Sequence, residues 1–242
     1  MIRSAVKLVL YSAALGGGAL LGAVATRPTV HGSGVVVTEE RAVSDVSEVA
    51  VSGDALVTIV RGDYTSVSVT ADDNVLPHLA TETDGNTLRL RSAGSSVRPT
   101  TRPEYKVTLP RLDALTVSGA GRATVEKPVG DQLKVKLSGA GTVNLREITY
   151  KELSVTTSGA GKVIATGAAP RTQFKLSGAG GIDAAGLRSS FAEVQVSGAG
   201  QASVWAAYDL KARVSGAGGV RYKGSPTVEQ KVSGAGRVRP ID

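Results

Sequence analysis

One tetrapeptide, Ser-Gly-Ala-Gly, limits what this chain can fold into more than any other feature. It begins at Ser118, Ser138, Ser158, Ser177, Ser197, Ser215 and Ser233, in steps of 20, 20, 19, 20, 18 and 18 residues. Seven copies at a near-constant step mark a stacked-repeat architecture. A unit of about 20 residues cannot enclose a core by itself, so each copy has to bury its apolar edge against the next.

Aligning the copies on the serine exposes a second pattern. Three residues before it stand Leu115, Val135, Val155, Phe174, Val194, Ala212 and Gln230, and one before it Val117, Leu137, Thr157, Leu176, Val196, Val214 and Val232. Five after it stand Ala123, Val143, Val163, Ile182, Ala202, Val220 and Val238; seven after it, Val125, Leu145, Ala165, Ala184, Val204, Tyr222 and Pro240. The columns between are mostly polar. Alternation with period two on both sides of the motif describes half-buried strands rather than helices. The Gly-Ala-Gly between them supplies a corner where φ is positive or a Cβ has no room. The expected fold is all-β: a single-stranded β-solenoid (β-helix) of coils of about 20 residues. Its handedness is not encoded in the pattern.

The register continues upstream with less discipline. Val49, Val51, Ser52, Gly53, Val57 and Ile59 fit the columns, with Asp54 in place of the alanine. Val67 and Val69, Leu88 and Leu90, and Val107 and Leu109 are further alternating pairs, whereas 92–103 reads as an irregular loop. Residues 44–242 therefore form the solenoid, with 44–117 as irregular opening coils and 118–242 as the regular ones. Aromatic residues make up 4% and cysteine is absent, so stability has to come from backbone ladders and aliphatic stacking, without disulfides or thiolate metal sites.

The first 25 residues carry Arg3 and Lys7, an uncharged stretch from Leu8 onward, and Ala23-Val24-Ala25, a small-x-small cleavage site. They are expected to be a signal peptide, engaging the membrane during export and cleaved after Ala25; an uncleaved anchor is the alternative. Residues 26–43 are expected to be a linker, with Gly34 to Val37 adding a short strand. The protein is thus expected to be exported, to a periplasm, an outer envelope or the extracellular space. The whole chain has net charge +7. Without a clustered basic stripe and stacking aromatics, nucleic acid is not an expected partner.

The Val-x-Val-Ser-Gly-Asp strand at 49–54, the Asp72-Asp73-Asn74-Val75-Leu76 segment, the Asn86-Thr87-Leu88 strand and the serial Ser-Gly-Ala-Gly coils resemble the bacterial "putative auto-transporter adhesin, head GIN domain" family. The resemblance covers roughly 44–239. It implies a β-helical solenoid exported to the bacterial envelope, and adhesion by analogy of name. Nothing after Ser233 resembles a membrane barrel, so no translocator is expected from this sequence.

Chemistry-bearing residues are sparse. Gly-x-Gly recurs in every repeat, but a dinucleotide site requires a helix after the glycine turn, and here a strand follows. Gly178 to Asp183 contains the lone aspartate of what would have to be a nine-residue calcium roll. Asp72-Asp73-Asn74 is a capped turn before it is a cation site. The acids Glu126, Asp131, Glu147, Glu152, Asp183 and Glu193 are scattered, and only His31 and His78 are present, so no catalytic constellation, cofactor or metal is expected. Trp205 and Tyr208 are expected to cover a coil corner, with a sugar-stacking platform as the alternative. The column Lys136, Lys175, Arg213 and Lys231 would line one exposed face, a surface for anionic envelope polymers. The expected function is a non-enzymatic envelope or surface solenoid that adheres or binds polymers; the alternative is a polysaccharide-modifying solenoid enzyme. At the C-terminal end the last coil is expected to be open, and to be covered either by self-association into a homo-oligomer or by the N-terminal segment folding across it.

Overall fold

In the computed structural model, which describes residues 29–91 and 97–241, the alternating side chains turn inward on both sides of every corner. The chain winds into a β-solenoid of about 6 turns, about 20 residues apart. The expected signal peptide and its cleavage site lie outside the described residues.

Two broad faces enclose the core. The front face is made by the strands that end in Ser-Gly, and the back face by the strands that follow the corner. From Ala114–Gly119 onward, successive front strands pair in parallel and in register, so Val117, Leu137, Thr157, Leu176, Val196, Val214 and Val232 form one continuous inward column. Of these only Val232, on the last strand, is exposed. A short third side carries Ile148, Tyr150, Ala169, Leu187 and Ala206 into the same core.

The two glycines of each corner are needed for different reasons. The first is left-handed in every copy, for example φ 110° at Gly139. The second sits so close to the coil before it that a Cβ on Gly141 would lie 2.6 Å from the Gly121 carbonyl oxygen. Main-chain hydrogen bonds such as Ala140 N–H to Gly119 C=O, 3.0 Å, carry the ladder around the bend.

The opening region departs from a simple succession of coils. On the front face Glu48–Ser52 lies between Ala114–Gly119 and the later strand Thr87–Arg91. On the back face Leu56–Arg61 pairs with Arg122–Glu126 on one side and Glu104–Leu109 on the other. Beyond these, Ser66–Asp72 and then Val36–Arg41 add in antiparallel fashion, as does Ala80–Asp84 on the front. Residues 44–117 therefore contribute two parallel layers, Glu48–Ser52 with Leu56–Arg61 and, out of chain order, Thr87–Arg91 with Glu104–Leu109, closed by reversed strands. The reversal covers the core end and buries Val67, Val69, Leu88 and Leu90.

The stretch expected as a linker, 26–43, is likewise structured from residue 30. Val30–His31 pairs with Val97–Arg98, and Val36–Arg41 is the outermost back strand. This places residues 30–41 at the end opposite Ser233, so the described part of the N-terminal segment does not fold over the last coil. Asp72 holds the segment in place. Fully buried, its carboxylate accepts from the backbone N–H of Gly34 at 2.9 Å, the N–H of Thr100 at 2.8 Å and the Thr100 hydroxyl. Asn74 adds bonds to Ser33 N–H and the His31 carbonyl. The Asp-Asp-Asn motif is a capped, stapling turn.

Candidate binding face

Parallel register turns each sequence column into a physical row. Lys136 lies beside Thr156, then Lys175, Gln195, Arg213 and Lys231, all pointing outward on the front face. Upstream the same row continues through Thr116, Ala50 and Arg89, and no acid occupies any of these positions. The four expected cations thus share one line, interrupted by Thr156 and Gln195. Five strand steps separate Lys136 from Lys231, about 24 Å at the usual spacing. Arg213 is partly neutralised by Glu193 at 2.8 Å, whereas Lys136, Lys175 and Lys231 form no ion pair among the described residues.

The next two outward rows differ in character. One reads Lys134, Ser154, Gln173, Glu193, Lys211; the other Gln132, Glu152, Arg171, Phe191, Asp209. Together they line an open hollow of about 740 Å³. Its polar groups are tied to one another: Gln132 to Glu152 at 3.4 Å, Arg171 to Glu152 at 3.6 Å, and Gln173 to Glu193 at 3.4 Å. The Gln195 amide, and after it those of Gln173 and the Arg213 guanidinium, hold the Glu193 carboxyl below its usual range against a partial burial that pushes it up.

The aromatic groups divide. Trp205 is only partly exposed, with Lys223 Nζ 4.7 Å and the Arg188 guanidinium 5.6 Å from its ring centre. It covers a corner, and cations occupy its faces. Tyr208 is 66% exposed and pairs instead with Phe191, 47% exposed, at 6.0 Å between ring centres. Sequence reasoning overlooked Phe191. The signal was available: its column holds polar residues in every other regular coil, so an aromatic there faces solvent.

Of the scattered acids, all but the exposed Asp183 are paired between neighbouring coils. Glu126 meets Arg146 at 3.6 Å, Glu147 meets Lys127 at 3.6 Å, and Asp131 meets Lys151 at 2.7 Å. A second hollow, about 270 Å³ and basic where the first is balanced, lies on the back face, where Arg221, Arg237 and Arg239 surround Gly219. No cluster of metal-ligating side chains occurs among the described residues.

Comparison with known proteins places this geometry in company. The family described as "Putative auto-transporter adhesin, head GIN domain" matches residues 45–226. The crystal structure of a putative adhesin from Bacteroides fragilis is similar at TM-score 0.84 and 25% identity, over 88% of this chain and 100% of that one. A putative adhesin from Parabacteroides distasonis gives TM-score 0.76 and 28% identity over 88% and 100%. A protein from the same species described as a putative lipid binding protein gives 0.71 and 25% over the same shares. No curated protein matches the chain.

Proposed function

The chain belongs to the "putative auto-transporter adhesin, head GIN domain" family, and from that premise we propose that it is an exported, non-enzymatic surface solenoid that binds anionic envelope polymers along its front face. The family and its solved members support a surface, adhesin-like role at a coarse level. The polymer is our own reading.

One observation carries it: the row of Lys136, Lys175, Arg213 and Lys231 holds only cations and neutral residues, in register. Isolated surface charges are worth little, since solvent and salt screen them. A row fixed on a rigid sheet presents several at once to a chain of regularly spaced anions, with no reordering of the protein. Lys136 and Lys175 stand two strand steps apart, about 9.6 Å, as do Lys175 and Arg213. Sequestration of the acids into inter-coil pairs supports a binding rather than a hydrolytic role.

Alginate, a polyuronate, is a suitable probe. The double variant Lys136→Glu, Lys175→Glu should bind it about tenfold more weakly, a loss of about 1.4 kcal/mol. Raising the ionic strength should weaken the unmodified protein in the same direction. A reversal of Arg221 and Arg239 that costs as much as the double variant, or binding indifferent to salt, would sink the reading.

A further inference from the structure

We propose that the front-face hollow beside the cation row is a separate binding site for a neutral glycan, with one sugar ring stacked against Phe191 and Tyr208. The site rests on residues outside the cation row and stands or falls apart from it.

Phe191 is the first reason. Its position on the strand is an outward one, and the register partners in neighbouring coils are Arg171 and Asp209. The ring nevertheless stays half-exposed, and the still more exposed Tyr208 stands beside it at a tilt of 45°. Phe191 lines the hollow and Tyr208 adjoins it on the outside, so the two rings offer apolar faces to the C–H faces of a sugar ring, while the tyrosine hydroxyl has no hydrogen-bond partner among the described residues.

Charge is the second. The hollow is lined by Lys134, Arg171 and Lys211 against Glu152, Glu193 and Asp209, three cations and three carboxyl groups. The balance gives no preference for a charged ligand. What it offers is a dense set of donors and acceptors, several already held in place by the bonds among Gln132, Glu152, Arg171, Gln173 and Glu193. Such groups match a ligand rich in hydroxyls, each both donor and acceptor.

Backbone pairing is the third. The strands beneath the hollow are flanked on both sides by partners, so their N–H and C=O groups are engaged in the ladder. A peptide binding by strand addition would find no edge there. A lipid tail would meet an open hollow ringed by six charged side chains rather than an enclosed apolar pocket. A glycan needs neither edge nor apolar bed. Glu193 already accepts from the Gln195 and Gln173 amides and the Arg213 guanidinium, which fixes its carboxylate as an oriented acceptor.

The test titrates the intact protein with neutral hexasaccharides of glucose and of N-acetylglucosamine, observed by NMR at the Phe191 and Tyr208 rings. At least one should bind and shift both rings, with an affinity unchanged by salt and by Lys136→Glu, Lys175→Glu. Phe191→Ala should weaken it about tenfold or more, and Gln173→Ala, a milder change on the exposed surface, by a smaller factor. Thermal unfolding of both variants at the unmodified temperature excludes misfolding as the cause. Binding that survives Phe191→Ala, binding abolished by salt or by the lysine reversals, or no binding by either series at millimolar ligand would overturn the proposal.

Discussion

At Gly159 two constraints meet in one atom. The backbone φ is 102°, where a side chain is strained, and a Cβ would lie 2.7 Å from the Gly139 carbonyl oxygen, part of a ladder that cannot retreat. Gly159→Val should therefore lower stability by about 1–3 kcal/mol, read by thermal or denaturant unfolding. Gly181 supplies the contrast. Its φ is unexceptional and the nearest atom to a built Cβ is 3.7 Å away, so Gly181→Thr should change stability by less than about 0.5 kcal/mol. An equal loss at both sites would mean that the corner geometry does not discriminate. The opposite sign is expected at Thr157. It is the one hydroxyl in an inward column of Val and Leu, is fully buried, and finds no hydrogen-bond partner among the described atoms. Thr157→Val keeps the shape and removes the unpaired group, and should stabilise by about 1 kcal/mol, or about 2–4 °C in Tm. A lower Tm would show that the hydroxyl has a partner after all.

Among the elements, the strap at residues 30–41 depends most visibly on one group. The Thr100 hydroxyl, with the Thr100 and Gly34 N–H groups, holds the Asp72 carboxyl below the usual carboxylate range despite its burial. A depressed folded pKa stabilises above the unfolded value and loses that contribution as pH falls through the folded one. Protection at residues 33–35, relative to exchange of the unfolded chain, should thus be full at neutral pH and fall as the pH drops below the ordinary carboxylate range and the acid protonates, with the coils around Ser158 still protected. Uniform loss of protection across the chain would contradict a local staple. The regular strands were legible in the sequence because one face of each is core and a slip by one residue would reverse every side chain. The cap was not legible. Antiparallel and parallel strands carry the same alternation, and Val67 and Val69 fit a coil column as readily as they fit the reversed strand that they occupy. The linker reading included a short strand at Gly34 to Val37 but missed its run to Arg41: Val36–Arg41 lies at the edge with one neighbour and keeps its valines exposed, so it lacks the in-out contrast that announces a buried strand.

For the molecule as a whole, the sequence revealed the row of cations because a repeat converts spacing into position. The hollow escaped notice because it is built across five coils from residues that differ at every step, and a column read only for its chemistry in common hides the single member, Phe191, that departs from it. The out-of-order strands at the capped end have one more consequence. In the regular part, a strand meets the previous one 20 positions along the chain, as Ala114 meets Lys134. Glu48 meets Ala114 only after 66. Closing the longer loop costs about 1 kcal/mol more in chain entropy, and Ser66–Asp72, with Val36–Arg41 behind it, needs Glu104–Leu109 in place before it can dock. Even Thr87, the nearer partner of Glu48, lies farther along the chain than one coil. The capped end therefore closes over longer loops than the coils do, and pulsed hydrogen exchange during refolding should show its strands gaining protection after those around Ser158.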